Sequence, residues 1–186
     1  TTGADPGLPQ AAFSINAASY PIPGTVASRW YFGADGSLTT TPPTAADGAQ
    51  GSFDSYISDP AARPRRSVPD GQGTNAWAQY PAYSWTDPVA GKSLTYLSPA
   101  LGADTAMVGS ASVDLWLRSS AANTDLQATL AEVRPDGKEY LIQTGWLRAS
   151  VRKLDAARST ELQPLPTMRE SDAAPLPAGA FTPIRL

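Results

Sequence analysis

Histidine and cysteine are both missing from this 186-residue sequence. Without an imidazole, a serine nucleophile lacks its usual base, and without thiols there is no cysteine nucleophile. Zinc loses its two commonest ligand types as well. With no disulfide, cysteine usage does not reveal the redox compartment. Charge is also scarce: Asp, Glu, Lys and Arg make up 17% of residues and leave a net −3, with an isoelectric point near 4.8. Such a chain has no electrostatic footprint for nucleic acid or an anionic membrane, so neither is expected as a partner. No apolar run approaches the roughly 20 residues that span a bilayer, and the chain is expected to be soluble. Thr1-Thr2-Gly3-Ala4-Asp5-Pro6 has no initiator Met and no charged-then-apolar leader, so it reads as the interior of a longer chain or a processed end. Phosphate loops, calcium-binding EF-hand loops and Asn-Xaa-Ser/Thr sequons are absent too. No cofactor and no metal site is expected, and no sequence address sets the compartment.

What the chain does have is 18 Pro, 15 Gly and 41% hydrophobic residues, among them five Trp and seven Tyr. Many breakers with an ample apolar supply suit short strands joined by ordered loops. The clearest pattern lies between Ala111 and Ser150. Val113, Leu115 and Leu117 alternate with Asp114, Trp116 and Arg118, the period of a strand with one buried face. Leu126, Ala128 and Leu130 repeat the pattern. Val133 falls out of phase, which predicts a bulge or a strand end near Glu132. Pro135-Asp136-Gly137 supplies a turn, after which Tyr140 and Ile142 restart the alternation. Trp116 and Trp146 read as core or inter-domain residues.

Elsewhere the elements are shorter. Residues 1–12 form a polar lead-in, Phe13–Asn16 a short strand, and Tyr20–Thr25 a rigid Pro-Gly turn. Ser28–Gly33 is predicted as a second strand closed by Ala34-Asp35-Gly36-Ser37-Leu38, and Leu94–Ser98 as a further one. Arg63-Pro64-Arg65-Arg66 reads as a solvated basic loop. Leu154–Ser159 predicts one helical turn. Residues 160–180, densest in Pro from Leu162 to Pro177, predict an extended segment wrapping the fold, and Phe181–Leu186 the start of a strand.

Thr124-Asp125-Leu126-Gln127-Ala128-Thr129-Leu130-Ala131-Glu132-Val133-Arg134-Pro135-Asp136-Gly137, followed by Gly145-Trp146-Leu147-Arg148-Ala149-Ser150, resembles the C-terminal domain of the X-Pro dipeptidyl-peptidase and cocaine-esterase hydrolases. The Pro-Gly-Thr, aromatic strand and Asp-Gly-Ser-Leu turn within Tyr20–Leu38, the Asp-Pro segment at Asp54–Ala61, and Leu94-Thr95-Tyr96-Leu97-Ser98 are similar to that family in order and spacing. The resemblance implies an all-β jelly-roll β-sandwich of the galactose-binding-like type, following an α/β-hydrolase domain that carries the catalytic triad. A later aromatic-Arg-Ala-Gly-Ser-Xaa-Xaa-Arg segment of that family is absent here. Two readings follow: an incomplete sequence, or last strands supplied by another chain.

No residue of this chain is a candidate for catalysis. A nucleophile elbow, Gly-Xaa-Ser-Xaa-Gly, does not occur. Asp35, Asp47, Asp70 and Asp136 each precede Gly and read as turn residues, and no carboxylate pair stands out for glycoside hydrolysis. The candidate contact residues are Trp77, Tyr80, Tyr83 and Trp85, either packing on another domain or forming a wall that stacks on a sugar, a proline or an acyl group.

The reading is a single β-sandwich domain over residues 1–186. It is expected to serve as a non-catalytic accessory domain of a serine hydrolase of X-Pro dipeptidyl-peptidase, esterase or acylase type. Its expected partner is an α/β-hydrolase domain in the same or a separate chain, with a homo-oligomer also allowed. The alternative is a free-standing carbohydrate-binding module.

Overall fold

The computed structural model describes residues 14–44, 53–62, 88–137 and 139–186. They fall into two compact units, Thr1–Val108 and Gly109–Leu186. The described secondary structure is β-strand with three single 3₁₀ turns and no α-helix, as the abundance of Pro and Gly predicts.

In the first unit, turn chemistry sets the chain's course. Pro23 and Gly24 occupy the centre of a turn closed by the Thr25 N–H donating to the Ile22 carbonyl at 3.1 Å. Gly24 takes a φ of +85° there, which a glycine adopts without steric cost. Strand β1 (Tyr31–Phe32) pairs antiparallel with β2 (Leu38–Thr39), Tyr31 opposite Thr39 and Phe32 opposite Leu38. Asp35 and Gly36 join them with φ of +57° and +72°, the pair of left-handed residues that a tight hairpin requires. The strand predicted over Ser28–Gly33 thus shrinks to two residues. Leu94–Ser98 forms no full strand: a single parallel bridge, Leu97 to Ser37, holds it to the hairpin. Ser14–Asn16 is not strand either. None of these segments offers the run of alternating apolar residues that would reward a longer ladder.

Below the hairpin, Phe32 and Tyr96 meet with ring centroids 4.4 Å apart, and the Tyr96 hydroxyl donates to Asp54 Oδ2 at 2.6 Å. Burial, and then the neighbouring Asp54 carboxylate, push the Tyr96 phenol above its ordinary value of 10. The Asp54–Ala61 segment ends in a turn in which the Asp59 side chain accepts from the Ala61 N–H at 2.9 Å. Lys92 stands 3.5 Å from the same carboxylate.

The second unit contains a core. Strand β3 (Asp114–Leu117) pairs antiparallel with β6 (Thr182–Arg185), and β4 (Asp125–Val133) with β5 (Glu139–Arg148). The two ladders share one apolar cluster: Leu126 and Leu147 from β4 and β5, Ile184 from β6, with Ala149 and Leu176. Leu115, Leu117, Val151 and Leu186 pack against it. Ile184 is 1% exposed, a burial that stabilises by about 1.5–3 kcal/mol. Leu115 and Leu117 face inward and Asp114 and Trp116 outward, as the alternation predicts.

The strand end predicted near Glu132 is present, β4 stopping at Val133, and a bulge lies nearby on the partner strand. β4 runs unbroken to Val133, which is simply outward and exposed. Leu130 pairs with Gln143 and Ala131 with Leu141, so Ile142 of β5 is the extra residue. The reversal between the strands closes with the Gly137 N–H donating to the Arg134 carbonyl at 2.8 Å, and Gly137 takes a φ of +78°.

Leu154–Ser159 makes the predicted single turn, with Asp155 accepting from the N–H groups of Arg158 and Ser159. The Pro-rich segment is extended, interrupted by one short 3₁₀ turn at Glu170–Asp172. Arg152 fastens it, donating to the carbonyls of Ala174 at 2.6 Å and Pro175 at 3.2 Å, and to that of Ala149 at 3.0 Å. Leu176 is thereby held in the core.

Candidate interaction surface

Asp125, Asp114 and Asp172 are held in ion pairs. Asp125 takes two bonds from Arg148, Nε to Oδ1 at 2.7 Å and Nη2 to Oδ2 at 3.0 Å. Asp114 accepts from Arg185 Nε at 2.7 Å, and Asp172 from Lys153 at 2.5 Å. The Arg148 hydrogen bonds hold the Asp125 carboxyl below its ordinary value. Lys153, and after it Thr167, do the same for Asp172. A general acid needs the opposite shift. Among the described residues no group of three His, Cys, Asp or Glu side chains comes together to hold a metal. Nor is any helix among them long and apolar enough to cross a membrane.

Trp77, Tyr80, Tyr83 and Trp85 lie outside the described residues, as do Arg63–Arg66, Asp47 and Asp70. Among the exposed aromatic residues of the described structure are the two tryptophans of the second unit's ladders. Trp116 is 71% exposed and Trp146 69% exposed. Neither belongs to the core, which removes the core half of the reading of both and leaves the inter-domain half. The signal was present in the alternation itself, since each is out of phase with the leucines of its own strand.

The surroundings of the two rings differ. Trp116 stands opposite Pro183, with Arg118 just after β3 and Phe181 just before β6. The Arg118 guanidinium lies over the Phe181 ring, 4.7 Å from its centroid. Trp116, Pro183 and half-exposed Phe181 therefore make a continuous apolar strip, ended by the Asp114–Arg185 pair. Trp146 stands opposite Gln127, with Thr144 and Arg148 two residues away on either side. Beside Arg148 opens a shallow depression of about 190 Å³, lined by Asn123, Thr124, Asp125 and Arg148. The first face is fit to bury apolar area against a partner. The second combines one ring with many hydrogen-bonding groups.

Comparison with known proteins agrees with the resemblance carried by Thr124–Gly137 and Gly145–Ser150. A cocaine esterase from Rhodococcus sp. (strain MB1 Bresler) is 31% identical over 147 residues, covering 72% of this chain and 24% of the esterase. The chain thus spans about a quarter of the length of that relative. No solved structure matches the chain. Residues 3–186 match the profile of the X-Pro dipeptidyl-peptidase C-terminal non-catalytic domain. Matched over residues 3–186, the chain belongs to this family of C-terminal non-catalytic domains.

Proposed function

We propose that residues 1–186 form one jelly-roll sandwich that serves a larger Ser-His-Asp hydrolase cleaving ester or amide bonds. The hydrolase domain belongs to the same chain or to a stably associated one, and this domain packs on it and closes one side of its substrate pocket. Excluding water from a pocket strengthens the electrostatics inside it, so such a wall raises the rate without contributing a reacting group. The observation that carries this reading is that the family's non-catalytic domain occurs here in a chain without histidine or a nucleophile elbow. The Trp116–Pro183–Phe181 strip is the docking face among the described residues, because contiguous apolar area with aromatic anchors is what protein interfaces bury. Trp77, Tyr80, Tyr83 and Trp85 are assigned to the pocket wall or to the same docking contact.

The test is active-site labelling of the native protein that carries this chain. A fluorophosphonate probe forms a covalent adduct with an activated serine, and peptide mapping then locates it. The adduct is expected on a Gly-Xaa-Ser-Xaa-Gly peptide outside residues 1–186, in the same or a co-purifying chain. An adduct on a serine inside these residues would overturn the proposal. So would the absence of any adduct on the protein and its co-purifying partners.

A further inference from the structure

We infer that the outward face of the β4–β5 ladder is a binding site for a neutral pyranose sugar, with the Trp146 ring as its stacking platform. The cross-strand register fixes the ring's neighbours on that face. Gln127 lies directly opposite, Thr144 and Arg148 flank it on β5, and Asp125 and Thr129 occupy the diagonals. All five are polar. An exposed indole surrounded by an amide, hydroxyls, a carboxylate and a guanidinium is poorly suited to burying a protein partner, which needs contiguous apolar area. Trp116, with Pro183 and Phe181 beside it, shows the contrasting arrangement.

The ligand that fits has a flat apolar face and a polar rim. A pyranose with equatorial hydroxyls has both, its ring C–H groups lying on the indole and its hydroxyls reaching the surrounding side chains. The polar groups are already held in place. Gln127 Nε2 donates to Thr129 Oγ1 at 3.1 Å, which keeps the amide oxygen as an acceptor. Arg148 and Asp125 are joined by two hydrogen bonds, so their charges compensate each other. That pairing disfavours an anion and leaves spare carboxylate lone pairs for hydroxyl donors. A shallow depression beside Arg148 adds Asn123 and Thr124 as further polar groups at the same end of the ladder. The site is independent of the hydrolase reading and stands or falls separately from it.

The experiment uses the native protein carrying this chain, with cellotetraose and lactose as probes. Saturation-transfer NMR identifies the contacting protons, and isothermal titration calorimetry gives the affinity. Transfer is expected to be strongest to the C–H protons of one ring face. Trp146→Ala should weaken binding by about tenfold or more. Trp146→Phe keeps an aromatic face and should retain part of the affinity, a gradation that a folding defect would not produce. Failure of the unmodified protein to bind either probe overturns the inference. So does binding that survives Trp146→Ala unchanged, or capture of a proline-rich peptide in place of either sugar.

Discussion

Every buried residue among those described lies between Leu126 and Ile184, and none lies in the first unit. The described part of the first unit is ordered by hydrogen-bonded turns, by two left-handed residues at Asp35–Gly36, and by Tyr96 bridging Phe32 and Asp54. The second is ordered by leucines and an isoleucine meeting between two ladders. The difference shows two ways of specifying a β structure. One restricts the backbone locally through residues with unusual φ, and the other removes apolar area from water. Each should fail to a different kind of substitution.

The largest effect is expected from Ile184→Ala, which empties the middle of the shared core and should cost about 3 kcal/mol in urea unfolding. If it costs no more than an exposed substitution, the core does not hold the second unit. In the first unit the sensitive position should be Gly36. It has a φ of +72°, and an added Cβ would meet the Thr95 carbonyl oxygen at 2.9 Å. Gly36→Ala should cost about 2 kcal/mol, seen as lost amide-exchange protection at Leu38 and Leu97. Gly24→Ala, at a φ of +85° with open space around it, should cost only about half as much. A smaller effect of opposite sign is expected at Thr182. Its hydroxyl is buried with no hydrogen-bond partner among the described residues. Thr182→Val should therefore raise stability by about 1 kcal/mol.

The smallest effects separate the units by pH. Asp125 has a depressed folded pKa, so its contribution is present above the ordinary carboxylate value of 3.8 and is lost as pH falls below it. Tyr96 has a raised folded pKa, so its contribution is complete below 10 and is lost as pH rises beyond that value. Asp125→Asn should flatten the acid limb of the stability curve and Tyr96→Phe the alkaline limb. Exchange of the two effects would contradict the assignment.

The second unit was the more legible from sequence because its strands carry the period-two pattern that burial imposes. Strand β3 follows from it, while the Pro135–Gly137 turn follows from its own turn residues. Ser28–Gly33 and Leu94–Ser98 promised longer strands than they form, since aromatic and β-branched residues there favour extension without supplying a face to bury. The position of the bulge was only half legible. The phase of Val133 marks the end of β4, but one strand's pattern does not locate an extra residue on its partner. The size of the two exposed tryptophans favours burial, whereas their parity points away from this domain's own core. The family was legible from short motifs, the strongest of them in β4, the turn and β5.

Ile142 works like an inserted letter in a reading frame. Counted back along β5 from Leu147, every second residue faces the core, and on an unbroken count Tyr140 would face outward. The single extra residue shifts that count by one. Tyr140 thereby comes inward opposite Glu132, where it is buried beneath the Arg134 guanidinium, 4.2 Å from the ring centroid. Deleting Ile142 would restore the straight count and invert Glu139, Tyr140 and Leu141 together while sparing Gly145 to Arg148. The hairpin is thus written in two phases, and one residue marks where the second begins.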